Sequence, residues 1–166
     1  MNINEEELRN KIIELSLLQH HKKYVHGHHG PDTFDCAGLV WYIYNNILNL
    51  DLYDQGIGKS TTTKMMTSHY GKLTLFNDNS LDKNLMLLSK GDICFFHRQA
   101  KQENEPTKNN KYPGHCGIYL GDNNFIHCTI SKGMVIISNF EKCLYWKKIL
   151  VASKDIICDE KCKKLI

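Results

Sequence analysis

Residues 34–48, FDCAGLVWYIYNNIL, decide how this chain folds. Asp35 has a side chain suited to the N-cap of a helix, and residues 36–48 are apolar on nearly every side of that helix. A helix without a polar face must be buried by the rest of its domain. The sequence therefore predicts a buried helix over 36–48, with Cys36 in its first turn.

The chain after this helix changes from helical spacing to an alternation of apolar and polar residues. Residues 60–70 predict a short helix capped by Ser60, whereas 72–90 are polar and mixed and predict mostly connector. After Gly91 come five short segments bounded by turn residues, as the strands of an antiparallel sheet are. They are DICFFH, HCGIYLG, FIHCTI, MVIIS and KKILVAS. A polar insert over 98–114 is predicted to be a surface loop.

The N-terminal segment has the pattern of an amphipathic helix over residues 4–20. Asn4 is followed by Glu7 at the spacing of a helix start, and apolar residues then recur every three or four positions. With helices first and strands afterwards, the fold class is predicted to be α+β. We expect N-terminal helices packed on a mostly antiparallel sheet of five to six strands.

Composition limits the classes of protein and partner. The chain has 166 residues, of which 42% are hydrophobic, enough for the core of one domain. A net charge of +3 is too small to indicate a nucleic-acid partner, and no apolar run approaches the roughly 18 residues of a membrane helix. The start, MNINEEELRN, lacks the pattern of a signal peptide. We expect a monomer that is cytoplasmic, released by lysis or carried by a phage, without nucleic-acid or membrane partners.

One of the seven cysteines stands out as a candidate nucleophile. A cysteine nucleophile needs a lowered thiol pKa, and the first turn of a helix favours the thiolate. Cys36 is the only cysteine predicted in such a position, and a buried structural cysteine is the alternative reading. Four others lie on predicted strands and are expected to pack in the core: Cys94, Cys116, Cys128 and Cys143.

Two histidines are candidates for the base that a thiol nucleophile requires. His115 and His127 lie in successive predicted strands joined by the turn GDNN. They share a face of the sheet if the hairpin loop has an odd number of residues. We predict a three-residue loop over 121–123 that pairs Leu120 with Asn124, since a two-residue loop would separate the rings. Structural or surface histidines are the alternative.

Five further histidines lie close together before the buried helix. Such a cluster suggests a metal, but a structural zinc site has two spaced pairs of ligands. We predict a solvated loop at the mouth of a cleft, with no metal and no cofactor. The five residues are His20, His21, His26, His28 and His29.

Four motifs of the chain resemble, in order and spacing, those of the NlpC-type cell-wall peptidases, a papain-like cysteine hydrolase family. They are FDCAGLV, LSKGDICFF, GHCGIYLGDNNFIHCT and MVIISNF…YW. The resemblance runs from Tyr24 to Ser153. It implies a papain-like catalytic domain over 23–153, with an amphipathic helix in 1–22 packed on it and a short charged tail over 154–166.

The same resemblance implies roles for five residues. Cys36 corresponds to the nucleophile, His115 to the general base, and His127 to the polar residue that orients the base. Tyr24 corresponds to a tyrosine that lines the site and helps to bind substrate or the oxyanion. Asp35 corresponds to an acidic residue that contacts a free substrate amine in part of the family.

The implied activity is hydrolysis of an amide bond in peptidoglycan stem peptides through a thioacyl-enzyme, commonly after a γ-linked D-glutamyl residue. This chain departs from the family pattern at Ala37, where a serine that helps to bind the amine is frequent. His26-Gly27-His28 also replaces the usual aromatic-Gly-Gly. An amidase or acyltransferase acting on another acyl substrate is the first alternative, and a non-catalytic module is the second.

Overall fold

The computed structural model describes residues 4–76, 79–97 and 113–158. The helices are α1 (Glu5–Leu17), α2 (Cys36–Leu48), α3 (Thr61–Thr67), α4 (Leu81–Met86) and α5 (Leu144–Ile149). The strands are β1 (Lys23–Tyr24), β2 (Thr33–Phe34), β3 (Lys72–Leu75), β4 (Ile93–His97), β5 (Pro113–Gly121), β6 (Asn124–Thr129), β7 (Met134–Asn139) and β8 (Leu150–Asp155). None of these helices is long and apolar enough to cross a membrane.

The strands form one curled sheet in the order β2-β1-β7-β6-β5-β4-β8-β3. Neighbouring strands run antiparallel, except for the short parallel pair β1 and β2. The predicted α+β class with a mostly antiparallel sheet is confirmed. The sheet is wider than the five to six strands expected, because β1 and β2 have two residues each and are too short for an alternating pattern.

Helix α2 covers the centre of one face of the sheet. It begins at Cys36 and ends at Leu48, as predicted. Leu39, Val40 and Ile43 are fully buried in the core between α2 and the sheet. Burying side chains of this size contributes about 1.5–3 kcal/mol each. The position of the helix, and of the residue at its start, is therefore fixed relative to strands β5 and β6.

Aromatic residues cover the opposite face of the sheet. Phe96, Phe125 and Phe140 are fully buried there, and their ring centroids lie 4.6–6.2 Å apart. Trp146 of α5 packs against this cluster. Both faces of the central strands are thus buried, so a side chain on either face is held in a dense apolar surrounding.

Helix α1 packs on the same core as α2. The Asn4 side chain accepts a hydrogen bond from the Glu7 N–H (2.8 Å), which confirms the predicted helix start. Leu8 and Ile12 are buried. The helix ends at Leu17, short of the predicted end at residue 20, and the chain continues as a turn.

Two local predictions were wrong. Residues 72–90, expected mostly as connector, contain β3 and α4; β3 is fixed by long-range pairing with β8, which no local pattern records. The start of KKILVAS, expected as strand, is the end of α5, and β8 begins only at Leu150. Of the surface insert predicted over 98–114, residues 98–112 lie outside the described residues, and Pro113 and Gly114 belong to β5 instead of a loop. Of the tail predicted over 154–166, residues 159–166 lie outside the described residues, and Lys154 and Asp155 belong to β8.

Candidate active site

Cys36 is the first residue of α2, and close backbone packing fixes its position. The Asp35 carboxylate caps the helix by accepting a hydrogen bond from the Gly38 N–H (2.7 Å). The Asp35 N–H donates to the carbonyl oxygen of His28 (2.7 Å). A β-carbon on Gly38 would overlap that same carbonyl, so the helix start and the preceding loop require glycine here. Cys36 itself stays partly exposed.

His115 of β5 and His127 of β6 lie on one face of the sheet, with His115 Nε2 2.8 Å from His127 Nδ1. The predicted three-residue loop was wrong. The turn has two residues, 122–123, both with positive φ (49° and 60°), as type I′ hairpin turns have. Gly121 therefore pairs with Asn124, and not Leu120.

A β-bulge brings the two histidines back to the same face. Leu120 is the extra residue of the bulge, and beyond it Tyr119 pairs with Phe125. A two-residue turn plus one bulged residue shifts the register by the same amount as a three-residue loop. Gly117 lies beside His127 in this register. A β-carbon at Gly117 would lie 3.0 Å from the His127 Cβ, so glycine makes room for the ring.

Aromatic rings enclose the hydrogen bond between the two histidines. The Trp146 ring centroid lies 4.7 Å from that of His127 and 5.4 Å from that of His115. Phe125 packs against His127 and Phe96 against His115, and His127 is fully buried. Excluding water lowers the local dielectric, which strengthens the hydrogen bond between the rings.

The surroundings of Cys36 favour its thiolate. A hydrogen bond with the Cys116 thiol lowers the pKa of Cys36 well below its usual value, although burial opposes this. A hydrogen bond with His115, the positive charge of that ring, and a hydrogen bond with Thr62 lower it further. The thiolate is the nucleophilic form of cysteine, so Cys36 has both the position and the lowered pKa that a nucleophile requires.

His127 is held neutral. Burial, and secondarily the positive charge of His115, lower the pKa of His127 to about 2. A neutral imidazole accepts a hydrogen bond at one nitrogen and donates one at the other. Its Nδ1 faces His115, and its Nε2 lies 2.9 Å from the Ser138 Oγ.

Tyr24 and Asp35 flank the thiol. Burial raises the pKa of Tyr24, and the negative charges of Cys36 and Asp35 raise it further, so its hydroxyl remains a donor beside the Cys36 thiol. The second carboxylate oxygen of Asp35 accepts a hydrogen bond from the Gly27 N–H (2.9 Å). Both oxygens of Asp35 thus bind backbone N–H groups, and each keeps a second acceptor position.

The sequence did not single out three side chains that contact these groups: Thr62, Cys116 and Ser138. Cys116 had one signal, its position next to His115, but it was assigned to packing alone. Nothing in the sequence indicated that Thr62 or Ser138 lies at the site, because tertiary packing of α3 and β7 brings them there.

The structure also tests the predicted burial of the other cysteines. Cys94, Cys116 and Cys128 are buried thiols on strands, as predicted. Cys143 is exposed, contrary to prediction, because it precedes α5 and belongs to no strand.

The histidines before α2 contact neighbours in their own segment and residues elsewhere in the fold, such as Val135, whose carbonyl oxygen accepts from the His21 N–H (3.0 Å). His20 and His21 stack on each other, with ring centroids 3.8 Å apart, and His28 Nδ1 lies 2.8 Å from the Thr33 hydroxyl. Within residues 4–76, 79–97 and 113–158, no three His, Cys, Asp or Glu side chains group closely enough to hold a metal ion.

The chain is similar in sequence to one protein family over most of its length. The sequence model of the NlpC/P60 family matches residues 21–154. A probable endopeptidase YafL of Escherichia coli is 31% identical over 140 residues, 84% of this chain and 46% of that protein. A gamma-DL-glutamyl hydrolase of Bacillus subtilis is 27% identical over 138 residues, which cover 82% of this chain and 27% of that protein. A probable peptidoglycan endopeptidase LytE of the same species is 29% identical over 121 residues, which cover 73% of this chain and 26% of that protein. The chain thus spans less than half the length of these relatives.

Solved structures share the fold at low sequence identity. NlpC1 from Trichomonas vaginalis superposes with a TM-score of 0.64 at 22% identity, over 89% of this chain and 44% of that one. The NlpC/p60 domain of the peptidoglycan hydrolase SagA superposes with a TM-score of 0.60 at 18% identity, over 92% of this chain and 99% of that one. The predicted NlpC-type, papain-like architecture is confirmed.

Proposed function

Because the chain belongs to the NlpC/P60 family, we propose that it is a cysteine peptidase that hydrolyses an amide bond in the peptide stems of bacterial peptidoglycan. One observation carries this proposal: Cys36 lies at the start of α2 with a pKa that His115 helps to lower, and His115 is hydrogen-bonded in turn to His127. Nucleophile, base and orienting residue are the minimum set for acyl transfer through a thioester. The names of the peptidoglycan endopeptidase and γ-glutamyl hydrolase relatives support the substrate class.

The reaction proceeds in two acyl transfers. The Cys36 thiolate attacks the carbonyl carbon of the scissile amide, and the protonated His115 donates its proton to the leaving amine as the C–N bond breaks. The thioacyl-enzyme remains. His115 then takes a proton from water, whose oxygen attacks the thioester carbon, and Cys36 leaves as thiolate with the acid product released.

The oxyanion of each tetrahedral intermediate is stabilised by donors at the helix start. The backbone N–H of Cys36 is at the first position of α2 and has no acceptor within the helix. The Tyr24 hydroxyl, kept protonated by its surroundings, supplies a second donor. Donors aimed at the developing charge lower the barrier most when they are fixed before the reaction.

The preferred bond follows a γ-linked glutamyl residue, and the free amine of the stem lies near Asp35. Each oxygen of that carboxylate retains an acceptor position beside the backbone N–H group it already binds. Ala37 offers no hydroxyl to the amine, so Asp35 is the main amine contact in this chain.

The decisive experiment is mass spectrometry of purified stem peptides after incubation with the protein. We expect two fragments whose summed mass exceeds that of the substrate by one water. Cys36→Ala should lower turnover about 10³-fold or more while leaving the melting temperature nearly unchanged, because the nucleophile is lost and its small side chain is only partly buried.

The matched control is Cys143→Ala, which removes an exposed thiol at the start of α5 and should retain full turnover. Fragments joined to an added amine would identify an acyltransferase. Hydrolysis that persists in Cys36→Ala would exclude the proposed nucleophile.

A further inference from the structure

We propose that Ser138 is a positioning residue that holds His127 in the ring tautomer required to orient His115. This inference rests on the proposed function, because it assigns Ser138 a role in the same site. It extends the hydrogen-bonded chain by one member, from thiol through two imidazoles to a hydroxyl.

The register of β6 and β7 places Ser138 next to the His127 ring. His127 pairs with Ile136 and Phe125 pairs with Ser138, so Ser138 is the diagonal neighbour of His127 on the same face. The Ser138 Oγ lies 2.9 Å from His127 Nε2, within hydrogen-bond distance. Ser138 is partly buried.

The direction of each hydrogen bond follows from the state of the base. When His115 is protonated beside the Cys36 thiolate, its Nε2–H must donate to His127 Nδ1, 2.8 Å away. His127 Nδ1 must then be unprotonated. Since His127 stays neutral, its proton is on Nε2, and that N–H donates to the Ser138 Oγ.

Loss of the hydroxyl would favour the wrong tautomer. The two aromatic rings packed on His127, Phe125 and Trp146, carry no oxygen that could accept from Nε2–H. A buried donor without an acceptor costs about 1–3 kcal/mol. Moving the proton to Nδ1 avoids this penalty but places two N–H groups face to face between His115 and His127. His115 would then lose its orienting partner.

The first test reads the tautomer directly. In ¹⁵N-histidine-labelled protein at neutral pH, long-range nitrogen–proton correlation spectra should assign the His127 proton to Nε2. In Ser138→Ala we expect the population to shift toward the Nδ1–H form, and in Ser138→Thr, which keeps the hydroxyl, to return to Nε2–H. Wild-type protein with the proton on Nδ1 would overturn the proposal without any variant.

The second test separates positioning from substrate binding. Ser138→Ala should lower kcat on the stem peptide by about 10- to 100-fold with little change in KM, because the hydroxyl that holds the His127 ring is lost while no proposed substrate contact changes. Ser138→Thr should recover most of kcat. An Ala variant with normal kcat, or one whose loss is confined to KM, would overturn the positioning role.

The matched control is Ser131→Ala. Ser131 is an exposed hydroxyl beyond the end of β6 that bonds to Thr129 and not to the histidine pair. It should leave the tautomer and kcat unchanged. The tautomer measurement needs no turnover, so it distinguishes failure of this inference from failure of the proposed peptidase function.

Discussion

Two thiols meet at the start of α2. Cys116 is fully buried, and its Sγ lies 3.5 Å from the carbonyl oxygen of Cys36. Its hydrogen bond with the Cys36 thiol, together with burial, raises the pKa of Cys116 well above its usual value, so Cys116 keeps its proton. A thiol has one proton and donates to one acceptor at a time. When Cys36 is ionised, its charged sulfur is a stronger acceptor than its carbonyl oxygen, so Cys116 stabilises the Cys36 thiolate.

Replacing Cys116 with valine tests this stabilisation. Cys116→Val keeps an apolar side chain of similar size but removes the donor, so the pKa of Cys36 should rise. The rate of Cys36 alkylation by iodoacetamide at pH 6 should fall about tenfold, the effect of losing one hydrogen bond to a charged group. Peptide mass spectrometry assigns the alkylated residue, which separates Cys36 from the exposed cysteines.

A second buried thiol provides the control for this variant. Cys128 donates to the carbonyl oxygen of Phe34 (3.2 Å), and Cys128→Val should leave the alkylation profile of Cys36 unchanged. Equal effects of the two valine variants would mean that general packing, and not the Cys116 donor, sets the reactivity of Cys36.

For single residues, the sequence predicts the position of a side chain well when that position follows from adjacent residues. The position of Cys36 needs only the Asp35 cap and the apolar run after it. The common face of His115 and His127 was predicted, but from a three-residue loop, because a bulge at Leu120 leaves no mark in the alternation of apolar residues. The position of Ser138 beside His127 could not be predicted from the sequence, since it depends on the register between two strands.

A buried lysine of the sheet forms hydrogen bonds with helix α3. Lys154 of β8 is 1% exposed, and its Nζ donates to the carbonyl oxygens of Met65, Met66 and Ser68 at 2.7–3.1 Å. These carbonyls lie at the C-terminal end of α3, where a cation is favoured by the helix dipole. The other end of α3 carries Thr62, whose side chain contributes to the lowered pKa of Cys36.

Removing this lysine should therefore affect both the free energy of unfolding and the reactivity of Cys36. In Lys154→Met, buried carbonyls lose their donor, and we expect the free energy of unfolding to fall by about 2–4 kcal/mol, measured with denaturant. Cys36 alkylation at pH 6 should also slow, because Thr62 moves with α3. Lys72→Met, an exposed lysine on β3, is the control with little expected change. Lower stability with unaltered Cys36 reactivity would contradict the link from β8 to the site.

The elements that the sequence predicted are those with a local cause. Ser60 caps α3 by accepting from the Thr63 N–H (3.1 Å), as its position indicated. Strand β3 was missed because its pairing with β8 joins residues about 80 positions apart. Helix α5 was missed for a related reason, since the packing of Trp146 on Phe96 and Phe125 holds six residues that have little helical signal of their own.

At the scale of the whole molecule, Arg9 joins α1 to the sheet. Its guanidinium lies 2.7 Å from the Asp155 carboxylate and 3.4 Å from that of Asp92, and it donates to the carbonyl oxygen of Lys90 (2.8 Å). Asp92 is 3% exposed and also accepts from the Ser89 N–H (2.9 Å). Burial, and secondarily the charge of Asp155, raise the pKa of Asp92 to about 7.

The pH dependence of stability follows from this raised pKa. Between its unfolded value of 3.8 and about 7, Asp92 holds a proton in the folded protein that the unfolded chain releases. Its contribution to stability is therefore fully present below about pH 4 and is lost as the pH rises through about 7. Above that pH Asp92 is charged and depends on Arg9 for compensation.

Arg9→Met should accordingly destabilise the protein more at pH 8 than at pH 5. We expect a loss of about 2–4 kcal/mol at pH 8, where Asp92 is left as an uncompensated buried charge, and a smaller loss at pH 5, where Asp92 is protonated. Denaturant unfolding at both pH values measures the difference. Lys11→Met removes a pair on the same helix whose partners, Lys11 and Glu7, are about half exposed, and it should change stability by less than about 0.5 kcal/mol at either pH. An equal loss for Arg9→Met at the two pH values would mean that Arg9 acts only through Asp155 and the backbone, and that Asp92 does not make the docking of α1 sensitive to pH.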